Sequence, residues 1–115
     1  MEMSDKMDKF IVITTLSDKE DVINNISNEL INNHLVSCSH ISKIKSSYWW
    51  KGEVNTSTEY KLEVRTIFSL YDKIEEVIKK MHNYELPEVS YYEISGSKEI
   101  LNWIKENVKG GDNND

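Results

Sequence analysis

The chain has 115 residues, 38% of them apolar and 30% charged, with a formal net charge of -6. That length suits one domain with a modest core, and the negative balance speaks against non-specific binding to nucleic acid or an anionic membrane, which both need a positive field. The single cysteine, Cys38, cannot close an intrachain disulfide, no stretch reaches membrane-span length, and "MEMSDKMDKFIVITTL" lacks a signal-like apolar run; together these lead to a cytoplasmic expectation.

Residues 1–8 read as a flexible start, 9–109 as a single domain, and the polar "GGDNND" of 110–115 as a disordered tail. "KFIVITTL" is β-branched at consecutive positions, as in a central strand covered on both faces. Ser17 and Glu20 have capping-box spacing, and Val22, Ile23, Ile26, Leu30 and Ile31 then recur at helical spacing. His34 at the helix end reads as an exposed capping residue.

From Leu35 to Trp50 the chain reads extended, with an alternation slip between Ile41 and Ile44 that suggests a bulge. "KGEVNTST" supplies turn chemistry around Gly52. A third strand follows to Phe68, alternating Tyr60, Leu62, Val64, Thr66 and Phe68 with Glu59, Lys61, Glu63, Arg65 and Ile67. Ser69 reads as the cap of a second helix with a stripe of Leu70, Ile74, Val77, Ile78 and Met81. In "MHNYELPEV", Pro87 ends that helix and delivers the chain into a fourth strand, "EVSYYEI". Ser97 caps a third helix whose Ile100, Leu101, Ile104 and Val108 face inward.

The order β-α-β-β-α-β plus a terminal helix defines an α+β, ferredoxin-like sandwich with a long β2-β3 hairpin. Each hairpin strand spans roughly 40–50 Å at 3.3 Å per residue, whereas a body of this size is about 30–35 Å across. The hairpin must bend onto its own domain or project. If it projects, Trp49 and Trp50 face opposite sides near its tip, and neighbouring copies are expected to cover them.

The motifs now in hand resemble the CutA family of divalent-cation tolerance proteins. The stretches are "ITTLSDKE", "LVSCSHI", "SSYWWKGEV", "HNYELPEV" and "LNWI", which cover about Phe10 to Ile104. The resemblance implies a ferredoxin-like protomer in a tight homotrimer, a link to metal tolerance, and copper binding in some members. Family motif positions fall on Tyr48, Trp50, Lys51, Glu59, Tyr84, Glu85 and Pro87. Asn83 stands where the family has proline, and His40 where asparagine is more frequent.

Cys38 and His40 are two apart on a strand, so they face one side, and thiolate plus imidazole suits copper or zinc. Cys38 equally reads as a small buried strand residue. His82, at the end of the second helix, reads as a metal ligand, a proton shuttle or a cap. The metal expectation is therefore Cys38, His40 and His82, holding copper or another divalent ion, with no organic cofactor. Lys51 and Glu53 flank Gly52 as ordinary solvated turn residues, or, as the family resemblance implies, Lys51 and Tyr84 line a cleft between subunits suited to a small anionic ligand. Glu85 and Glu88, separated by Pro87, do not form a general acid/base pair.

Catalysis is not expected. The chain lacks a G-x-S-x-G elbow, a P-loop and a zinc-protease helix motif. "TTLSDKED" after the first strand has neither the glycines nor the arginine of an acylphosphatase loop. The sequence leads to a metal-binding homotrimer in metal tolerance. Its rival is a trimeric small-molecule sensor or scaffold, and a further protein partner is left open.

Overall fold

The computed structural model describes residues 9–109; the expected flexible start and acidic tail lie outside the described residues. The elements are β1 (Phe10–Ser17), α1 (Glu20–Asn32), β2 (Cys38–Trp50), β3 (Glu53–Ile67), α2 (Tyr71–Met81), β4 (Ser90–Ile94) and α3 (Lys98–Glu106). The strands form one sheet in the order β2-β3-β1-β4, with every pairing antiparallel. This is the ferredoxin-like arrangement expected from the element order.

Strand parity decides what is buried. Ile11 and Ile13 of β1 and Leu62 and Val64 of β3 share one face, onto which Ile23, Ile26 and Leu30 of α1 and Ile74 and Ile78 of α2 pack. Val12 and Ile67 point the other way and are also fully buried. There α3 runs against β3 and contributes Ile104, and Val108 just beyond the helix is buried as well, both outside the main cluster. Ile100 stays 44% exposed instead of facing inward.

Several local expectations need correction. Ser97 does cap α3, accepting a hydrogen bond from the Ile100 amide at 3.1 Å. The expected capping box does not form: α1 starts after Lys19 with no side-chain cap. Ser17 instead closes β1, accepting from the Lys19 amide at 3.0 Å and donating to Asn83 Oδ1 at 2.5 Å. Ser69 lies inside a 3-10 turn, Phe68–Leu70, and leaves α2 without a side-chain cap as well. The β2-β3 register is unbroken from Cys38 opposite Arg65 to Trp50 opposite Glu53, so the alternation slip marks no bulge. β2 begins at Cys38, and Leu35 and Val36 are spent plugging the core before it.

The hairpin turn is only Lys51-Gly52, with φ of 53° and 82°. Positive φ at both central residues is the turn that matches strand twist, so Glu53–Thr56 continue the ladder. β1 pairs with β3 only as far as Ser17 opposite Tyr60. Beyond that, Glu53–Glu59 and Ile44–Trp50 pair only with each other, an arm roughly 23 Å long at 3.3 Å per residue. The chain measures 50 × 23 × 21 Å over its described residues, so the hairpin projects rather than folding back.

Candidate functional site

The loop after α2 crosses the end of β1 at the base of the arm, and side-chain hydrogen bonds hold it there. His82 Nε2 donates to the Leu16 carbonyl at 2.8 Å, and its Nδ1 accepts the Tyr84 amide at 3.0 Å. This pattern requires a neutral ring protonated on Nε2. Burial pushes the His82 pKa down, partly offset by the Leu16 carbonyl and the charges of Asp18 and Glu59. Asn83 accepts from Ser17 and donates to Asp18 Oδ1 at 3.0 Å, contacts that a proline could not make.

With the loop fixed, the Tyr84 hydroxyl donates to Glu59 Oε2 at 2.5 Å. Glu59 is the first β3 residue beyond the reach of β1, yet only 5% of it is exposed. Burial pushes the Tyr84 pKa well above its ordinary value, and the hydrogen bond to Glu59 and that carboxylate's charge add to it. Tyr84 therefore stays a donor at neutral pH.

Beside this pair opens a groove of about 590 Å³. Leu16, Glu59 and Tyr84 lie at its base, Ser46, Tyr48 and Trp50 come from the arm, and Glu85, Leu86 and Glu88 come from the loop. No lysine or arginine lines it among the described residues. Lys51 lies at the hairpin tip with its ammonium 5.7 Å from the Trp50 ring centroid. Within the single chain, the groove is thus acidic and aromatic.

Of the family-motif positions, Tyr48, Trp50, Glu59, Tyr84 and Glu85 line the groove, while Lys51, in the hairpin turn, and Pro87, in the loop after α2, do not. The expected metal residues are not gathered. Cys38 is half-buried and His40 exposed on the same face of β2. Arg65 donates to His40 Nδ1 at 3.0 Å. Cys38 pairs with Arg65 on β3, whereas Leu16, the anchor of His82, pairs with Lys61 on the far side of that strand. Strand rise and spacing then separate the Cys38 and Leu16 backbones by roughly 15 Å. Among the described residues, no three His, Cys, Asp or Glu side chains are grouped to hold a metal ion.

Sequence reasoning missed Leu16, Leu86 and Glu88 as groove residues. Glu59 was named from the family motif, but alternation alone placed it on the mostly charged face of its strand and did not show its burial. The available signal for Glu59 was the length of the hairpin beyond β1, combined with a loop long enough to fold over it.

A ferredoxin-like domain with a projecting two-stranded arm and a groove at the arm's base is the class of protein these features define. The profile described as CutA1 divalent ion tolerance protein matches residues 10–107, and the chain belongs to that family. The divalent-cation tolerance protein CutA of Archaeoglobus fulgidus is 35% identical over 104 residues, covering 90% of this chain and all of the relative. The structure of that organism's protein, described as periplasmic, superposes with a TM-score of 0.83 at 30% identity, covering 87% of this chain and 99% of the other. A chloroplastic CutA 1 protein of Oryza sativa is 34% identical over 101 residues, covering 86% of this chain and 56% of the relative. Relatives thus occupy compartments other than the cytoplasm, and no described helix is long and apolar enough to cross a membrane.

Proposed function

We propose that the protein is a homotrimer that binds divalent metal, copper foremost and weakly, and contributes to metal tolerance in the cytoplasm without catalysis. The observation that carries this reading is the arm. A lone two-stranded ribbon is marginal in water, and this one exposes Tyr48, Trp50, Val54 and three-quarters of Trp49. Neighbouring copies that cover these side chains remove the apolar penalty and protect the strand edges.

In the assembly, the Cys38 thiolate and the His40 imidazole would hold the ion, with further ligands from a neighbouring subunit or water. The donor set fits a soft or borderline metal. Imidazole that ligates through Nε2 carries its proton on Nδ1, so Arg65 must first release His40. That competition, with a guanidinium alongside, keeps affinity low. His82 acts on the loop rather than the metal, since both its nitrogens are engaged.

Light scattering and calorimetric titration with Cu(II) and Zn(II) test both halves. The expected result is a mass of three chains, with copper heat that is lost in Cys38→Ala/His40→Ala. A single-chain mass at micromolar concentration removes the assembly, and unchanged heat in the double variant removes the metal site.

The groove supports a second reading, a small-molecule sensor or scaffold that uses the clefts beside the arms. The buried Glu59, with its hydrogen bond to Tyr84, favours it.

A further inference from the structure

His82 holds the loop after α2 by two hydrogen bonds that make opposite demands on its ring. Nε2 must carry the proton given to the Leu16 carbonyl, and Nδ1 must be bare to accept the Tyr84 amide. Only one neutral tautomer meets both. A second proton goes to Nδ1, where it faces the Tyr84 N–H and leaves that amide without its acceptor.

Two further ties of the loop rest on carboxylates near the same ring. Asn83 Nδ2 donates to Asp18, and the Tyr84 hydroxyl donates to Glu59. Asp18, from the turn between β1 and α1, and Glu59, from β3, are also the charges that act on His82 from the elements around it. On its own side the imidazole has the Tyr84 ring 5.0 Å away, and the last turn of α2 carries Lys80 and Lys79, the latter paired with Glu75 at 3.2 Å. An imidazolium here competes with Asn83 for Asp18 and with Tyr84 for Glu59. Little apolar burial opposes release, since Asn83, Glu85, Leu86 and Glu88 are exposed. The loop's ends are fixed: Met81 and Val89 pack against the core, and the Tyr71 hydroxyl donates to the Val89 carbonyl at 3.3 Å.

We propose that a proton on His82 releases residues 82–88 from the end of β1 and the root of the arm, while Met81 and Val89 keep their places and the sheet stays intact. The device depends neither on a metal at Cys38 and His40 nor on a ligand in the groove. Its direction follows from linkage. Burial holds the bound ring below the ordinary value of 6.5, and a released ring regains that value, so release gains population as pH falls below 6.5. At pH 5.5 the gain approaches about tenfold.

The test is amide hydrogen exchange of the full-length protein at pH 7.5 and 5.5, corrected for intrinsic rates, with EDTA present to keep metal off the histidines. Protection of the Tyr84 amide should fall severalfold, to a limit of about tenfold, at the lower pH. It should also lie below that of the β1-β3 ladder at both pH values and respond little to dilute urea, because a local opening exposes little surface. Protection equal to the ladder's and equally sensitive to urea would mean that the loop leaves only on global unfolding, and overturns the proposal. Protection that does not change between the two pH values overturns it as well. In His82→Gln the pH response should vanish, and its persistence would assign the effect to another group. Ring nitrogen shifts of the wild type provide a check that needs no variant. A neutral ring protonated on Nε2 at pH 7.5, titrating with a midpoint below 6.5, supports the release; a midpoint at or above 6.5 contradicts it.

Discussion

Tyr84 and Glu59 lie 25 residues apart in the chain and share a 2.5 Å hydrogen bond where β1 ends and the arm begins. The contact ties the α2-β4 loop to the root of the hairpin and satisfies a buried carboxylate. It is the point at which fold, arm and groove meet.

Removing the donor should therefore be costly. Tyr84→Phe leaves the Glu59 carboxylate buried without its partner and should lower stability by about 1–3 kcal/mol. In a Glu59→Gln background the same change should cost less, because a neutral amide is cheaper to leave poorly paired. Urea unfolding of the four variants at one protein concentration measures the coupling.

His82 sets a pH dependence. Its folded-state pKa is pushed below the ordinary value of 6.5, mainly by burial. The neutral ring is therefore favoured in the folded state. Its contribution is complete above about pH 6.5 and is lost progressively as pH falls below that value. Urea midpoints between pH 7.5 and 5.5 should fall more steeply for wild type than for His82→Gln. Parallel slopes would show that His82 does not contribute.

Three serines with similar sequence signals should behave differently. Ser97→Ala removes a formed cap and should cost about 1 kcal/mol. Ser69→Ala should be close to neutral, since α2 has no side-chain cap. Ser17→Ala breaks the links to Asn83 and Lys19 at a buried site and should cost about 1–3 kcal/mol. Thermal unfolding of the three variants ranks them.

The turn at the arm's tip offers a backbone test. A Cβ at Gly52 meets nothing within 4 Å, so Gly52→Ala acts only through its φ of 82° and should destabilise by about 1 kcal/mol. Lys51→Asn should instead stabilise by a few tenths of a kcal/mol, because asparagine tolerates positive φ better than lysine. Melting temperatures that shift in opposite directions would match this; shifts of the same sign would contradict it.

The site was only partly legible beforehand. Tyr48, Trp50, Glu59, Tyr84 and Glu85 were named from their resemblance to family motifs, and they do line one groove. Lys51 lies next to Trp50 in the chain, and its ammonium sits over that ring at the tip, away from the lining of this groove. Glu88 was set aside because no helix face joins it to Glu85, yet a loop brings both to the same groove.

By itself, the sequence determined the order of elements, the parity of the strands and a hairpin too long for its domain. These follow from local periodicity, turn residues and chain length, which act over a few neighbouring positions. Only the tertiary structure decided that Glu59 is buried, that His82 is committed to Leu16 and the Tyr84 amide, and that Cys38 and His40 lie apart from it. Those outcomes depend on which strand stops first and on where a loop crosses it. Both are set by the packing of distant segments, which no local pattern records.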